Sequence, residues 1–385
     1  MLIFRMPNPL SSTGYASHGL QLAMATSKVL ESRGFPDQVK IEAPLPAGWE
    51  VSAPVEFARL VLNTSGKKQS VVHIDLPPVW QHSWKRDQVS FHGFFIWEGL
   101  GIPECFTEIM IKGKIDGRLT GVLCPSRHVM SQVRRNVDLV PHGVNHDLFK
   151  PGVLGKEWDE IRMALKDRFV FGFVGGWAQG ATDRKDLLSA LKAYCEEFKK
   201  EDDVAFLVRV NKVYNPGMNV REELEKEGVP MDGPKIIIMN DDPIPYCHMP
   251  GLYRCMDCYV CPSVEGFGLT FLEAMSCGIP CIATGLGGQT DFVNNDNGWL
   301  VDYEMIPATD RNPMYENTLW PKVKIPELRK SLREAYDGGA KAKSMKAYLD
   351  SKAYSWEFSA IKLLEVIGYE PEEISNERRE HEQVR

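Results

Sequence analysis

Two glutamates separated by seven residues lie on either side of a helix start that follows a glycine-bearing loop. Glu265 directly precedes Gly266-Phe267-Gly268, and Glu273 lies about one turn inside a helix predicted to begin near Leu269 and to end at Gly278. Loop amides at a helix N-terminus favour an anion such as phosphate. Glu273 could then reach a neutral polyol, such as a ribose, beside the phosphates. Taken alone, both acids could instead serve only the helix dipole.

The segment around these glutamates is similar to the signature of a known family. Residues 265–269 (Glu-Gly-Phe-Gly-Leu), 272–275 (Leu-Glu-Ala-Met) and 277–280 (Cys-Gly-Ile-Pro) closely resemble the E-x7-E motif of the family-4 retaining glycosyltransferases. The resemblance is strongest over 120–301 and includes the segments 141–145, 149–151, 171–176, 184–188 and 285–288. It implies an α/β chain with the GT-B fold, in which two Rossmann-like domains face each other across a cleft.

The resemblance also implies roles for individual residues. Glu273 matches the family glutamate that binds the nucleotide ribose, and Glu265 matches the one that meets hydroxyls of the transferred sugar. Arg184 and Lys185 match the basic pair that neutralises the diphosphate leaving group, so that a metal ion would be unnecessary. Without this context, such a pair is more typical of a solvated helix start. The resemblance also implies donor binding by the loop and strand-end positions Gly175, Gly266, Phe267, Gly268 and Leu269.

The chain departs from the family pattern at the end of the first donor-domain strand. Many relatives have Gly-Arg there, whereas this chain has Gly175-Gly176-Trp177. One phosphate-binding cation is therefore absent or is supplied from elsewhere in the domain. Arg209 and Lys212, which lie around the end of the next predicted strand, are the candidates for donor binding.

A second departure concerns the cleft histidine that relatives often carry at the end of an acceptor-domain strand. The comparable run here is Phe94-Phe95-Ile96-Trp97-Glu98-Gly99. We expect Glu98 to occupy that catalytic position, with His92 as the alternative. Glu98 could instead cap a helix that begins near Pro103.

The loop between the first predicted strand and the first helix contains further candidates. Its location matches the place where the family's glycine-bearing loop approaches the diphosphate and the acceptor, and Gly14 permits a close backbone approach. The Ser and Thr residues of this loop could equally be helix N-caps. The candidates for acceptor contact are Tyr15, His18, His92 and Trp97, although packing is an alternative for the aromatic rings.

The motifs lie in a chain whose apolar runs alternate with helical patterns, which is typical of α/β domains with parallel sheets. We predict two series of strands. The first covers 2–5, 39–42, 70–74, 90–97, 120–123 and 137–141, and the second covers 169–174, 204–210, 235–239, 258–261, 280–283 and 299–301. The turn-rich residues 141–152 are predicted to link them.

The end of the chain is predicted to be irregular and then helical. Residues 302–326 contain four prolines and indicate a loop, 355–367 have helical spacing, and the tail from 370 is almost without apolar residues. We therefore predict an acceptor-binding domain over 1–145, a donor-binding domain over 146–350, and a C-terminal helix and solvated tail over 351–385 that packs back on the first domain.

Composition excludes several classes of protein. The 385 residues are 43% hydrophobic and 25% charged, which fits an ordinary folded protein of two or three domains. No apolar run approaches the roughly 18 residues of a membrane span, and the first residues do not form a signal peptide, so a cytoplasmic location is expected, with peripheral membrane contact open. The nine cysteines indicate reduced thiols. The C-x2-C-x2-C run at 255–261 lacks a fourth ligand and is expected to be core.

Charge leaves the acceptor open. The formal net charge is −7, but residues 1–150 hold 16 Lys+Arg against 13 Asp+Glu and seven of the nine histidines. This mild basicity permits an anionic acceptor such as hydroxymethylated DNA, a lipid phosphate or a teichoic-type polymer, and equally permits a neutral glycan. The overall acidity argues against DNA, because duplex binders usually present a clear basic surface.

Together these observations predict a retaining, metal-independent glycosyltransferase that moves a sugar from a nucleotide-diphosphate sugar, of UDP or GDP type, to an acceptor hydroxyl without a cofactor. Two alternatives remain. A nucleotide-sugar epimerase would need acid and base groups at the sugar, and the sequence offers no clear pair. A non-catalytic nucleotide-sugar-binding or nucleic-acid-binding protein of the same fold would not need to retain both glutamates and the basic pair.

Overall fold

The computed structural model describes residues 1–10, 14–45, 55–61, 69–84, 88–133, 136–177, 184–211, 217–239, 244–310 and 312–371. Within these ranges the chain forms two six-stranded sheets and one two-stranded sheet. No helix in the described ranges is both long and apolar enough to cross a bilayer. Lys212, the loop at 11–13 and the tail from 372 lie outside the described residues.

The first sheet has the strand order β2-β1-β3-β4-β5-β6, and all its pairings are parallel. Its strands are β1 Leu2–Arg5, β2 Val39–Glu42, β3 Gln69–Ile74, β4 Gln88–Phe94, β5 Gly121–Cys124 and β6 Val137–Leu139. The helices between them are α1 Gly14–Ser32, α2 Val55–Leu60, α3 Pro77–Ser83, α4 Glu104–Ile115 and α5 Arg127–Val133. Alternate strand residues face two cores, so that Phe4 packs with α1 residues and Ile3 packs with Trp80 and Phe106 of α3 and α4.

The second sheet has the order β12-β11-β10-β7-β8-β9 and is also parallel throughout. Its strands are β7 Phe169–Gly176, β8 Val204–Asn211, β9 Lys235–Met239, β10 Cys258–Cys261, β11 Cys281–Thr284 and β12 Gly298–Val301. Its helices are α6 Asp159–Ala164, α7 Leu187–Glu197, α8 Val220–Lys226, α9 Met249–Arg254, α10 Leu269–Ser276, α11 Ile325–Glu334 and α12 Ala340–Ser351. Cys255, Cys258 and Cys261 are buried in its core, as predicted.

Every predicted strand forms in one of these two sheets, with ends shifted by up to three residues. Near-continuous apolar runs are typical of strands buried on both faces of a parallel sheet, which explains why these strands could be predicted from the sequence. The two parallel sheets confirm the predicted α/β GT-B fold class. The domain boundaries at 145 and 350 stay a prediction, since the sheets themselves span only residues 2–139 and 169–301.

The prediction of a loop over 302–326 was wrong. Strands β13 Tyr303–Pro307 and β14 Leu319–Val323 pair antiparallel, with Tyr303 opposite Val323 and Pro307 opposite Leu319. Proline lacks an amide donor, but a two-stranded ribbon leaves one edge of each strand unpaired and so tolerates it. We call residues 303–323 the β13–β14 hairpin.

The C-terminal helix returns to the first domain. Helix α13, Trp356–Val366, begins at Ser355, whose hydroxyl accepts the Phe358 amide 3.1 Å away. Trp356 and Leu363 are buried in the core that includes α1 and β1. The C-terminal segment therefore packs on the first sheet, as the fold prediction stated.

Candidate active site

The loop between β10 and α10 holds the E-x7-E residues at the carboxyl end of the second sheet. Gly268 has a φ of +101°, a left-handed conformation that favours glycine, and it turns the chain into α10. The loop also touches the first domain, because the Ser126 hydroxyl donates to the Gly266 carbonyl 2.5 Å away. An ideal Cβ on Gly266 would lie 2.5 Å from Ile96 Cγ2. The loop is therefore fixed between the two sheets.

Glu265 is a buried carboxylate surrounded by donors. Its oxygens pair with the Lys185 ammonium and with Arg184 Nη1 at 3.2 Å, and the Ser263 hydroxyl donates to Oε1 at 2.8 Å. Burial alone would raise the pKa of this carboxyl, but Lys185 and Arg184 outweigh burial and hold the pKa at about 2. Glu265 is therefore ionised at neutral pH, and its charge is balanced within the site.

Arg184 joins the two domains. Its Nη2 lies 3.2 Å from Oε1 of Glu98, which follows β4 of the first domain, while Nη1 also donates to the Val264 carbonyl at 2.9 Å. His128 Nε2 lies 2.6 Å from the Glu98 carbonyl oxygen. The structure thus places Glu98 beside the basic pair, where its two carboxylate oxygens face Arg184 and Tyr315 and not the start of α4 at Glu104. Two cations and two carboxylates meet at one point of the cleft.

The surroundings of Glu273 raise the pKa of its carboxyl, whereas those of Glu265 lower it. It lies in α10 with 8% of its surface exposed, and its Oε2 accepts the Tyr253 hydroxyl at 2.7 Å. Burial raises the pKa of this carboxyl to about 7, although the hydroxyls of Tyr253 and Tyr246 oppose that rise. Among the described residues, no cation lowers this pKa as Lys185 does for Glu265. Glu273 therefore changes charge near neutral pH.

The other predicted donor residues lie around the same sheet edge. An ideal Cβ on Gly175, near the end of β7, would lie 3.7 Å from Lys185 Cδ, so this strand end is adjacent to the basic pair. Arg209 is buried on β8 and donates to the Met239 carbonyl at 3.3 Å. The Phe267 ring packs 4.7 Å from the His142 ring, so only its backbone is available to a donor. Leu269 begins α10, whose first amides have no intrahelical partner. Contact with a donor stays a prediction for all four.

The residues predicted to contact the acceptor are mostly packed. His18 is fully buried between Phe94 and His142, with ring centroids 4.4 and 3.8 Å away. Trp97 is fully buried, and its Nε1 donates to the Gly101 carbonyl at 3.1 Å. These positions argue against direct contact with an acceptor, which stays an untested prediction. Gly14 is the first residue of α1 and Tyr15 is the second, and the side chain of Tyr15 lies outside the described structure.

His92 does not lie at the cleft. It occurs six residues before Glu98, a separation of about 20 Å in an extended chain. It lines a different cavity of about 460 Å³ together with Lys114, Thr120 and Asp138. Of the two alternatives, the structure brings Glu98 and not His92 to the basic pair.

Several residues of the site were missed from the sequence. Ser263 contacts Glu265, Tyr253 and Tyr246 contact Glu273, and Tyr315 of the β13–β14 hairpin donates to Glu98 Oε2 at 3.0 Å. Ser263 and Tyr253 lie close to the motif in sequence and could have been found there. Tyr315 could not, because it lies in a segment that was predicted to be a loop.

Gly288 offers a test of the loop's role. Its amide donates to the Glu265 carbonyl at 2.6 Å, and an ideal Cβ would collide with the Gly266 carbonyl oxygen and lie 2.5 Å from Phe267 Cα. We expect Gly288→Ala to displace the loop and weaken binding of UDP at least tenfold, measured by calorimetric titration. Gly217→Ala, at a glycine with no described atom within 4 Å of its ideal Cβ, is the control. Equal affinities in both variants would contradict the assignment of the loop.

Known proteins resemble the chain in part. Residues 168–309 match the family model described as Glycosyl transferases group 1. The UDP-Gal:alpha-D-GlcNAc-diphosphoundecaprenol alpha-1,3-galactosyltransferase of Escherichia coli is 28% identical over 183 residues, which are 45% of this chain and 43% of that protein. The lipopolysaccharide core biosynthesis mannosyltransferase LpsB of Rhizobium meliloti is 45% identical over 49 residues, 12% of this chain and 14% of that protein. The chain thus matches less than half the length of these relatives.

Solved structures resemble the whole fold. A glycosyltransferase from Rickettsia africae has a TM-score of 0.67 at 17% identity, covering 95% of this chain and 97% of its own. HepE from Anabaena, solved in complex with UDP-glucose, has a TM-score of 0.65 at 13% identity, covering 95% and 99%. At such identities the likeness establishes the fold.

Two parallel Rossmann-like sheets that meet at a cleft define the class, and the protein has the GT-B fold. Within that class, the match to the model described as Glycosyl transferases group 1 covers residues 168–309. The E-x7-E loop, Arg184 and Lys185 all lie inside this matched region.

Proposed function

We propose that the protein is a retaining glycosyltransferase that takes a sugar from a nucleotide-diphosphate sugar, of UDP type. The observation that carries this proposal is the convergence of Arg184 and Lys185 on Glu265 beside the start of α10. The UDP-glucose complex of HepE and the UDP-galactose named for the E. coli relative support the choice of nucleotide. GDP is the alternative nucleotide.

In the proposed reaction the bond between the anomeric carbon and the diphosphate oxygen breaks first. Arg184, Lys185 and the amides at the start of α10 stabilise the charge that develops on the departing diphosphate. The acceptor oxygen forms the new bond on the same face of the oxocarbenium-like sugar, and its proton passes to the departing phosphate oxygen. Glu265 and Glu273 are assigned to binding the sugar and the ribose, and not to the two-carboxylate mechanism of glycosidases.

Donor binding would exchange the partners of the basic pair. In this structure Arg184 pairs with Glu98 and Glu265, and Lys185 pairs with Glu265, so the site is close to neutral before a diphosphate enters. A diphosphate competes with these carboxylates for the same donors. The cations can then neutralise the leaving group without a metal ion, which is why we propose metal-independent transfer.

For the acceptor we propose a hydroxyl of a glycan or of a lipid-linked glycan. The E. coli relative is named for a diphosphoundecaprenol-linked substrate, and LpsB for the lipopolysaccharide core. A DNA acceptor is disfavoured because most of the histidines of the first domain do not add positive charge to its surface. Five of them are buried, and burial lowers the pKa of each: His18, His73, His92, His128 and His142.

The experiment that tests this function measures binding and slow hydrolysis of UDP-, GDP-, ADP- and TDP-sugars, each with and without EDTA. We expect one selective donor whose binding and turnover are insensitive to EDTA, and the anomeric configuration of the transferred sugar to be retained. Loss of turnover in EDTA would refute metal independence, and inversion would refute the stereochemistry. Binding of none of the donors would favour a non-catalytic protein of the same fold.

Glu273 provides the matching variant. Glu273→Ala removes the carboxylate assigned to the ribose, so we expect the dissociation constant of UDP to rise about 10- to 100-fold, the loss of a hydrogen bond to a charged group. Glu225→Ala, at an exposed position of α8, is the control. Unchanged UDP affinity in Glu273→Ala, measured above pH 7.5, would contradict the ribose assignment.

A further inference from the structure

The β13–β14 hairpin follows the second sheet in sequence but binds the first domain. Leu100 and Leu319 exchange two backbone hydrogen bonds of 2.7 and 2.8 Å, as antiparallel strands do. The Thr318 hydroxyl donates to the Gly101 carbonyl at 3.2 Å. An ideal Cβ on Gly99 would collide with Thr318 Cγ2, so this approach of the two backbones requires glycine.

The hairpin also contacts residues that lie beside the basic pair in both domains. The Tyr315 ring stacks on the Trp97 ring with centroids 5.0 Å apart, and its hydroxyl donates to Glu98 Oε2 at 3.0 Å. On β14, Lys322 Nζ lies 2.7 Å from Asp186, the residue after Lys185. The hairpin thus contacts the neighbours of the basic pair in each domain.

Glu98 is shared between the hairpin and the basic pair. Its Oε2 accepts from Tyr315 while its Oε1 faces Arg184 Nη2 at 3.2 Å. A carboxylate with one oxygen fixed presents the other in a defined direction, which reduces the side-chain entropy lost when Arg184 binds it. The orientation of Arg184 therefore depends on a hydroxyl that is 131 positions away in sequence (315 − 184).

We propose that the β13–β14 hairpin is an interdomain clasp and that Tyr315 is a positioning residue, whose hydroxyl orients Glu98 toward Arg184. The inference rests on the proposed function, because Arg184 is assigned there to the departing diphosphate. Tyr315 acts only through Glu98 and does not touch the reacting atoms.

The clasp itself is tested without any activity, by hydrogen exchange of the unliganded full chain. We expect peptides covering 97–103 and 314–322 to exchange at least tenfold faster in Gly99→Ala than in the unaltered protein. Gly152→Ala, in the linker, is the control, because its ideal Cβ would make only ordinary contacts with Arg254. Equal protection of both peptides in Gly99→Ala and the unaltered protein would overturn the clasp.

The role of Tyr315 is tested by a double-mutant cycle with Glu98. Tyr315→Phe keeps the ring on Trp97 and removes only the hydroxyl that orients Glu98. We expect kcat to fall about tenfold with less than a threefold change in the donor KM, because the orientation of Arg184 matters most as charge develops on the departing diphosphate. In the Glu98→Gln background the same substitution should change kcat less than twofold. Tyr303→Phe, on β13, is the control for loss of a hydroxyl from the hairpin.

The outcomes separate this inference from the proposed function. An undiminished kcat in Tyr315→Phe, or an equal loss in both Glu98 backgrounds, would overturn the positioning role. The midpoint of thermal unfolding is also measured for the four proteins of this cycle. We expect the effects of Tyr315→Phe and Glu98→Gln on this midpoint to be non-additive. Non-additive stability without turnover of any sugar nucleotide would uphold the contact while refuting the proposed function, and additive stability would overturn the contact.

Discussion

Replacing Lys185 with methionine is expected to lower kcat for sugar transfer about 10²- to 10³-fold, the loss found when one positioned donor to a developing anion is removed. Lys185 pairs with Glu265 before donor binds and is assigned to the departing diphosphate afterwards. Methionine keeps an unbranched side chain that is one heavy atom shorter, and it removes the ammonium with its charge and its donors. The measurement is steady-state transfer, or donor hydrolysis where no acceptor is known, at saturating donor.

The same substitution should also lower stability. Glu265 would keep only Arg184 as a cationic partner, so its pKa would rise from about 2 because burial is then opposed by one cation instead of two. Removing one partner of a buried ion pair costs about 3 to 5 kcal/mol of unfolding free energy. Lys192→Met, on helix α7, is the control, since none of the site's carboxylates pairs with it. A fully active, fully stable Lys185→Met would remove the basic pair from the mechanism.

The two motif glutamates therefore have very different pKa values although both are buried. The cations beside Glu265 keep it charged, and the tyrosine hydroxyls beside Glu273 do not compensate its burial. A ribose hydroxyl donates to an ionised carboxylate more strongly than to a neutral one. We therefore expect donor affinity to increase as the pH rises through about 7, the pKa of Glu273.

Much of the fold was predictable because it depends on local pattern. A strand such as Cys258–Cys261 is apolar along its whole length and is bounded by turn residues, which is typical of the centre of a parallel sheet. The helix at Leu269–Ser276 is bounded by Gly268 and Gly278, both with positive φ. These signals need no information about distant residues.

The β13–β14 hairpin was not predictable from such signals. Pro307 and Pro321 lie within its strands, and proline normally argues against a strand. The ribbon is stabilised by contacts that the local sequence does not show, namely the backbone bonds to Leu100 and the packing of Tyr315 on Trp97. Tertiary contacts decided its structure.

Single residues of the candidate site were predictable in both domains, Glu98 among them, but the contact that joins the domains was not. Glu265, Glu273, Arg184 and Lys185 could be named because motifs of the second domain carry them. The pairing of Arg184 with Glu98 joins residues 86 positions apart (184 − 98) across the cleft, and no pattern in a single sequence reports that distance. The burial of His18 and Trp97 could not be predicted either, because the sequence does not show whether a polar or amphipathic side chain near a cleft points into the cleft or into the core.

Acidification is expected to destabilise the protein by about 5 kcal/mol between pH 7.5 and pH 5, a large part of the stability of a typical domain. Burial lowers the pKa of His18 to about 3, holds His73 and His92 at about 4, and brings His142 well below 6.5. Unfolded histidines titrate near 6.5, so in this window the unfolded chain binds more protons and stability falls as the pH falls. Glu273 opposes this loss, because its raised pKa makes the folded state bind one proton more.

The variant His18→Phe tests whether the loss of stability at low pH comes from the buried histidines. Its ring nitrogens and those of His142 have no hydrogen-bond partner among the described residues, and the stack that holds them also includes Trp356. His18→Phe keeps an aromatic ring in that stack, so it should reduce the loss of stability between pH 7.5 and pH 5 by about 2 kcal/mol, measured by chemical denaturation at each pH. His82→Gln, at an exposed histidine, should not relieve the acid loss. If the free energy of unfolding fell equally on acidification in His18→Phe and in the unaltered protein, His18 would be protonated in the folded state at pH 5. The same variant also tests the acceptor contact, because transfer activity that survives His18→Phe at pH 7.5 would argue against a contact between His18 and the acceptor.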